Sequence, residues 1–123
     1  MNFLKRNRDE LRLPVIPVRE TVAFPHTTIP FFVAKRTAKT ALDNAMAADR
    51  RVVLVPQTAD AVEPSAEQLY AYGTVAGISQ VMKLPDGSVR VMAEGKFRVR
   101  ITTFESPKTP LWARTQELDV TEA

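Results

Sequence analysis

Asp86-Gly87 constrains this chain more than any other feature, because it stands midway between two runs of alternating apolar residues in Leu69 to Ile101, LYAYGTVAGISQVMKLPDGSVRVMAEGKFRVRI. Such a pattern predicts a long β-hairpin. An Asp-Gly pair supplies the positive φ angles of a two-residue type I′ turn, whose twist matches the strands on either side. Counting outward from that turn sets Leu84 opposite Val89, Met82 opposite Val91, Ile78 opposite Gly95 and Ala76 opposite Phe97 on one face. The other face then carries Lys83 with Arg90, Val81 with Met92, Ser79 with Glu94 and Gly77 with Lys96, since strand neighbours point to opposite sides. The first face reads as core, and the second as polar with one apolar pair, Val81 and Met92, inside it.

Prolines shape what precedes the hairpin. Pro14, Pro17, Pro25 and Pro30 crowd the first third of the chain, and each removes a backbone donor, confining a strand to an edge, a start or a bulge. Leu13 to Arg19 and Ile29 to Val33 therefore read as short strands joined by a loop through Thr21 to Thr28, with FPH at its turn. Between Thr37 and Arg50, Ala38, Ala41, Leu42, Ala45 and Met46 recur at helical spacing, with Thr37 placed as cap. The run VVLVPQ that follows predicts a strand buried on both faces. Gln57 to Gln68 is acidic and weakly periodic, a surface loop with one helical turn before Tyr70. Gly95 predicts a bulge in the second hairpin strand, Pro107 and Pro110 a loop, and Trp112 to Leu118 a last strand. The fold class is mainly β with one principal helix, a twisted pseudo-barrel of about six strands.

A length of 123 residues, 45% hydrophobic and 25% charged, suits a single core without staples. Without cysteine there are no disulfides, thiolate nucleophiles or cysteine metal sites, which fits a cytoplasmic location. Residues 1–10 carry charges without a following apolar run, so they read as a flexible leader and neither a secretory signal nor an anchor. A phosphate-binding loop is missing, since Lys39-Thr40 has no glycines before it and lies in the predicted helix. Ser65, Ser79, Ser88 and Ser106 have no base beside them, and Glu63, Glu67, Glu94 and Glu117 show no paired spacing. His26 stands without a second His or any Cys, which favours a turn histidine hydrogen-bonding locally over a metal ligand.

LPVIPVR at Leu13 to Arg19, FPH at Phe24 to His26, Pro30 before an apolar strand, LYAYGT at Leu69 to Thr74, KLPDG at Lys83 to Gly87 and EGKFRVRI at Glu94 to Ile101 follow one another in a familiar order. In these pieces the chain resembles the amino-terminal domain of the Lon family of ATP-dependent proteases, over nearly its whole length. It departs at Val18, where the family usually has Leu, and at Ala34, where it usually has Gly. The resemblance implies a PUA-like domain over residues 11–120, with its helix plugging one open end of the barrel and a linker beginning at 121–123. It also implies a non-catalytic role: capturing unfolded or damaged proteins and supporting a ring, a hexamer in the parent serine protease. ATP and magnesium belong to the rest of that parent, and this chain itself holds no cofactor or metal. The alternative is a stand-alone PUA-like module binding RNA or a small ligand.

Two surface features are candidate sites. Val81 and Met92, with Phe24, are the nominees for substrate binding, because a receptor for disordered chains must expose apolar groups. Cover by another element is the competing account of the pair. Lys96, Arg98 and Arg100 share one strand face, with Lys83 and Arg90 continuing it unless Gly95 turns them away. Such a stripe can track a phosphate backbone, but Glu94 interrupts it and no aromatic residue interleaves with it, so it reads first as a solvated face. Nucleic acid is accordingly not an expected partner, nor is a membrane.

Overall fold

The computed structural model describes residues 10–18, 25–58, 64–105 and 111–118. The leader before Glu10, Phe24, the Pro107–Pro110 loop and the linker start at 121–123 lie outside the described residues. The described elements are β1 (Glu10–Val18), β2 (Thr28–Val33), α1 (Arg36–Met46), β3 (Arg51–Pro56), a 3-10 turn (Ala66–Gln68), β4 (Tyr72–Lys83), β5 (Val89–Glu105) and β6 (Trp112–Glu117). Strand order is β2-β5-β4-β3-β1-β6, and β6 returns to pair with β5, so the sheet closes on itself with β2 left outside the ring.

The prolines set how the strands pair. Glu10–Pro14 pairs only with β6, and Val15–Val18 pairs only with β3, in parallel. Pro14 and Pro17 thus each occupy a stretch bonded on one side, which leaves the other side free for a missing donor. Pro30 lies in β2, which pairs only with β5 among the described strands.

Two cores result. Leu13, Val15, Val53, Val55, Val75, Val99, Ile101 and Ala113, drawn from all the ring strands, fill the barrel. A second cluster on the outer wall joins Ile16, Val18, Val52 and Leu54 to the helix residues Ala41, Leu42 and Ala45, and to the inner side of β2, β4 and β5. Val52 to Val55 are fully buried and point alternately into the two cores, as their unbroken apolar run predicts. The helix presents the expected stripe, with Ala38 and Met46 partly buried beside it. It packs on the wall of β1 and β3 and contributes nothing to the barrel interior, so it does not plug an open end. Its cap also stands two residues before the expected Thr37: Lys35 is the N-cap, with no side-chain cap bond, and the helix ends at Met46 rather than Arg50.

The hairpin forms with a different register. Lys83 pairs with Val89, Met82 with Arg90, Val81 with Val91, Gln80 with Met92, Ile78 with Ala93 and Ala76 with Gly95. The Gly87 N–H donates to the Leu84 carbonyl at 3.0 Å and the Leu84 N–H to the Ser88 carbonyl at 2.9 Å, so Pro85 and Asp86 are the turn's corners. Of the turn residues Gly87 alone, at φ 92°, has the left-handed conformation. Pro85, with φ fixed near −65°, suits the first corner of a type I turn, and the glycine after it makes the bulge that closes a three-residue loop. The expected bulge at Gly95 is present: Ala76 faces Gly95 while Val75 faces Phe97, leaving Lys96 as the extra residue. A second irregularity falls between Ile78 and Gln80.

Candidate functional site

Beyond the point where β3 ends its pairing, at Gly77, β4 continues with β5 and β2 as a three-stranded arm. Its inner side, with Ile29, Phe31, Val33, Ile78, Val89, Val91 and Ala93 buried and Val81 packed against them, belongs to the helix-side core. Alternation then forces Pro30 and Phe32 on β2, and Arg90 and Met92 on β5, to the outer side. Registry aligns them in two rows across the arm, Phe32–Arg90–Met82 and Pro30–Met92–Gln80. Directly opposed side chains have Cβ atoms about 4.5–5.5 Å apart, so the rows merge into one surface. Phe32 is 65% exposed and Met82 45%, and Pro30 is exposed beside a half-buried Met92.

Among the described residues the second edge of β2 is unpaired, and it is blunted. Gly95 donates its N–H to the Thr27 carbonyl at 2.9 Å, which fixes the ladder phase so that Ile29, Phe31 and Val33 bond to β5. Thr28, Pro30 and Phe32 consequently turn their backbone groups to the open edge, and the middle one has no N–H to offer.

Two of the nominated substrate residues are parted. Val81 and Met92 do not pair: Val81 faces Val91 on the core side, and Met92 lies on the outer side between Gln80 and Pro30. The physical reason is the one-residue longer turn, because a slip of one exchanges the faces of a strand. Phe24 is outside the described residues. Phe32 and Met82 were not among the nominees, although two consecutive phenylalanines on a strand require one to point outward.

The basic stripe is divided too. Arg98 pairs with Thr74 and Arg100 with Tyr72, whereas Lys96 packs over Gly77, its Cε lying 3.2 Å from where a Cβ on that glycine would stand. Thr74 and Gly77 are three residues apart on one regular strand stretch and so face opposite sides, placing Lys96 away from Arg98 and Arg100. The bulge is responsible. Lys96 joins Glu94 at 3.8 Å on the arm's outer side, and Arg100 reaches the Gln116 Oε1 at 3.5 Å beside an exposed Tyr72. Arg90 is likewise on the opposite side of the sheet from Arg98.

The described serines make local hydrogen bonds. Ser79 Oγ donates to the Met92 carbonyl at 3.0 Å, and Ser65 with Gln68 forms a capping box on the 3-10 turn. Ser88 donates through both its N–H and Oγ to Asp86 Oδ1, and these bonds hold the Asp86 carboxyl below the usual carboxylate range. Glu105 accepts a bidentate pair from Arg12 at 2.8 and 2.9 Å, with Arg114 at 3.8 Å, and this bonding lowers its pKa. Arg12 also stacks 4.1 Å over the Trp112 ring, a clasp where β1, β5 and β6 meet. His26 sits in a left-handed turn at φ 66°, its N–H bonded to the Gly95 carbonyl, beside an open hollow of about 480 Å³ shared with Glu94 and Lys96. No group of three His, Cys, Asp or Glu side chains able to hold a metal occurs among the described residues. No helix among them is long and apolar enough to cross a membrane.

Residues 12–123 match the family model of the ATP-dependent protease La (LON) substrate-binding domain. The chain belongs to this Lon domain family. It is 43% identical over 108 residues to Lon protease 1 of Syntrophobacter fumaroxidans, covering 82% of this chain and 13% of that protein. Against Lon protease of Xanthomonas oryzae pv. oryzae it is 40% identical over 114 residues, 92% of this chain and 13% of the relative. The Escherichia coli K12 Lon protease gives 38% over 112 residues, 90% of this chain and 14% of the relative. The chain thus spans about an eighth of the length of the curated Lon proteases it matches. Among solved structures, the amino-terminal domain of Mycobacterium avium complex Lon protease superposes with TM-score 0.69 at 25% identity, over 89% of this chain and 55% of that one. A Lon amino-terminal domain protein from Xanthomonas campestris gives 0.69 at 20% identity, over 89% and 60%, a likeness of fold. The Lon domain expected from the sequence motifs, mostly β with one helix, is the domain observed.

Proposed function

We propose that this chain is the non-catalytic, amino-terminal recognition piece of a Lon-type ATP-dependent serine protease, holding unfolded or damaged protein against the outer face of the arm. The observation that carries this reading is the pair of rows Phe32–Arg90–Met82 and Pro30–Met92–Gln80, which leaves Phe32 and Met82 open to solvent beside Pro30 and a half-buried Met92. An unfolded polypeptide differs from a folded one chiefly in its exposed apolar segments, so its receptor needs a matching shallow surface rather than a deep pocket. Two methionines on that surface adapt to segments of many shapes. Each contact is weak, and several copies in a ring, a hexamer in this reading, raise the overall hold. ATP and magnesium act in the rest of the parent protein, in the cytoplasm. Met92 is retained from the sequence nominees, with Phe32 and Met82 taking the place of Val81.

The test is the double variant Phe32→Ser with Met82→Ser. Both side chains are exposed, so the fold should lose no more than about 1 kcal/mol. In the full-length protease the variant should bind an unfolded protein less tightly and degrade it more slowly, with substrate-free ATP hydrolysis unchanged. A folded variant that degrades at the normal rate would place capture elsewhere.

A further inference from the structure

We propose that Arg90 makes this face selective: it takes apolar segments that carry a carboxylate within a residue or two, and discriminates against those carrying Lys or Arg. The inference rests on the outer face of the arm being the capture surface.

Arg90 is the central residue of the row Phe32–Arg90–Met82, opposed by Phe32 on one side and Met82 on the other. An apolar segment covering those two side chains therefore crosses it. Its stem can lie along the apolar surface while the guanidinium remains at the water boundary, the usual way a long cation occupies such a place. Among the described residues no carboxylate pairs with it. The acidic side chain sharing its face, Glu94, is at 3.8 Å from Lys96, and Asp86 in the nearby turn is bonded to Ser88. Among the described residues the face therefore presents apolar groups around a guanidinium that no carboxylate neutralises.

The edge supports the same conclusion. With Pro30 interrupting the donors of β2, an extended chain gains little by adding as a further strand, so discrimination falls to side chains lying on the face. A guanidinium offers a carboxylate two parallel hydrogen bonds, and it repels another cation brought to the same spot.

The experiment uses three unstructured peptides with one apolar core and either Asp, Ser or Lys at two positions beside it, titrated into the chain by fluorescence anisotropy. The Asp peptide should bind about two- to fivefold more tightly than the Ser peptide, the range an exposed ion pair allows, with the Lys peptide weaker again. High salt should compress the series. Arg90→Gln should erase the spread, Arg90→Lys should keep the order, and Arg90→Glu should invert it. Equal affinities for the Asp and Lys peptides, or a spread that survives Arg90→Gln, would overturn the role of Arg90. Loss of Ser-peptide binding on Phe32→Ser with Met82→Ser would show in the same assay that the face itself is the site. If that peptide binds the double variant normally, the capture surface fails and this inference with it.

Discussion

Two glycines are held in place for different reasons, and substitution separates them. Gly87 has φ 92° with nothing within 4 Å of where a Cβ would stand, so only the backbone objects to a side chain. Gly87→Val should cost about 1–2 kcal/mol, read as a lower urea midpoint at unchanged slope. Gly73 has an ordinary strand conformation, but a Cβ there would lie 2.7 Å from the Leu54 carbonyl oxygen and 2.9 Å from a Val53 methyl. Gly73→Ala should therefore cost about 1–3 kcal/mol through overpacking between β3 and β4. Glu105 supplies a pH signature. Its folded pKa is lowered, chiefly by the Arg12 hydrogen bonds, so its contribution is present above the ordinary glutamate value of about 4.3 and is lost as pH falls through the lower folded value. Thermal melts should show Glu105→Gln less stable at neutral pH, with the difference from the parent closing as the solution is acidified below about pH 4.

Strands and helix were legible because their burial follows sequence periodicity: the VVLV run supplies both cores, and Ala41, Leu42 and Ala45 face inward as their spacing requires. Register was not, and a single proline explains why. Asp86-Gly87 has the composition of a two-residue turn, but Pro85 before it admits a three-residue loop, and that extra residue turned Val81 inward and Met82 outward. The bulge at Gly95 was legible in position but not in consequence, since only the pairing shows that Lys96 leaves the side of Arg98 and Arg100. The open face was half legible: Met92 was found, while Phe32 required knowing that Phe31 fills the helix-side core. Pro30 belongs to this scale as well. Restoring an edge donor with Pro30→Thr should promote strand-to-strand self-association, visible as a larger species in light scattering at unchanged secondary structure. A variant whose size matches that of the unsubstituted chain over the same concentration range would show that the edge is protected by something else.

At the scale of the whole molecule, a closed ring with its own core carries an arm whose inner side is stitched to the ring by the helix. That arrangement backs the open face with a packed core, so in the proposed capture a bound segment would pay its own ordering entropy with little repacking of its receptor. The Arg12–Glu105–Arg114 clasp and the Tyr72–Arg100–Gln116 row lie elsewhere on the ring, apart from the proposed capture face. The proposed capture on the arm's outer face is a matter of location, which backbone amide shifts read directly. On titrating an isotopically labelled chain with a permanently unfolded protein, the largest changes should fall on Phe32, Gln80, Met82, Arg90 and Met92. Changes concentrated instead on Tyr72, Arg98, Arg100 and Gln116, with the arm unmoved, would contradict it.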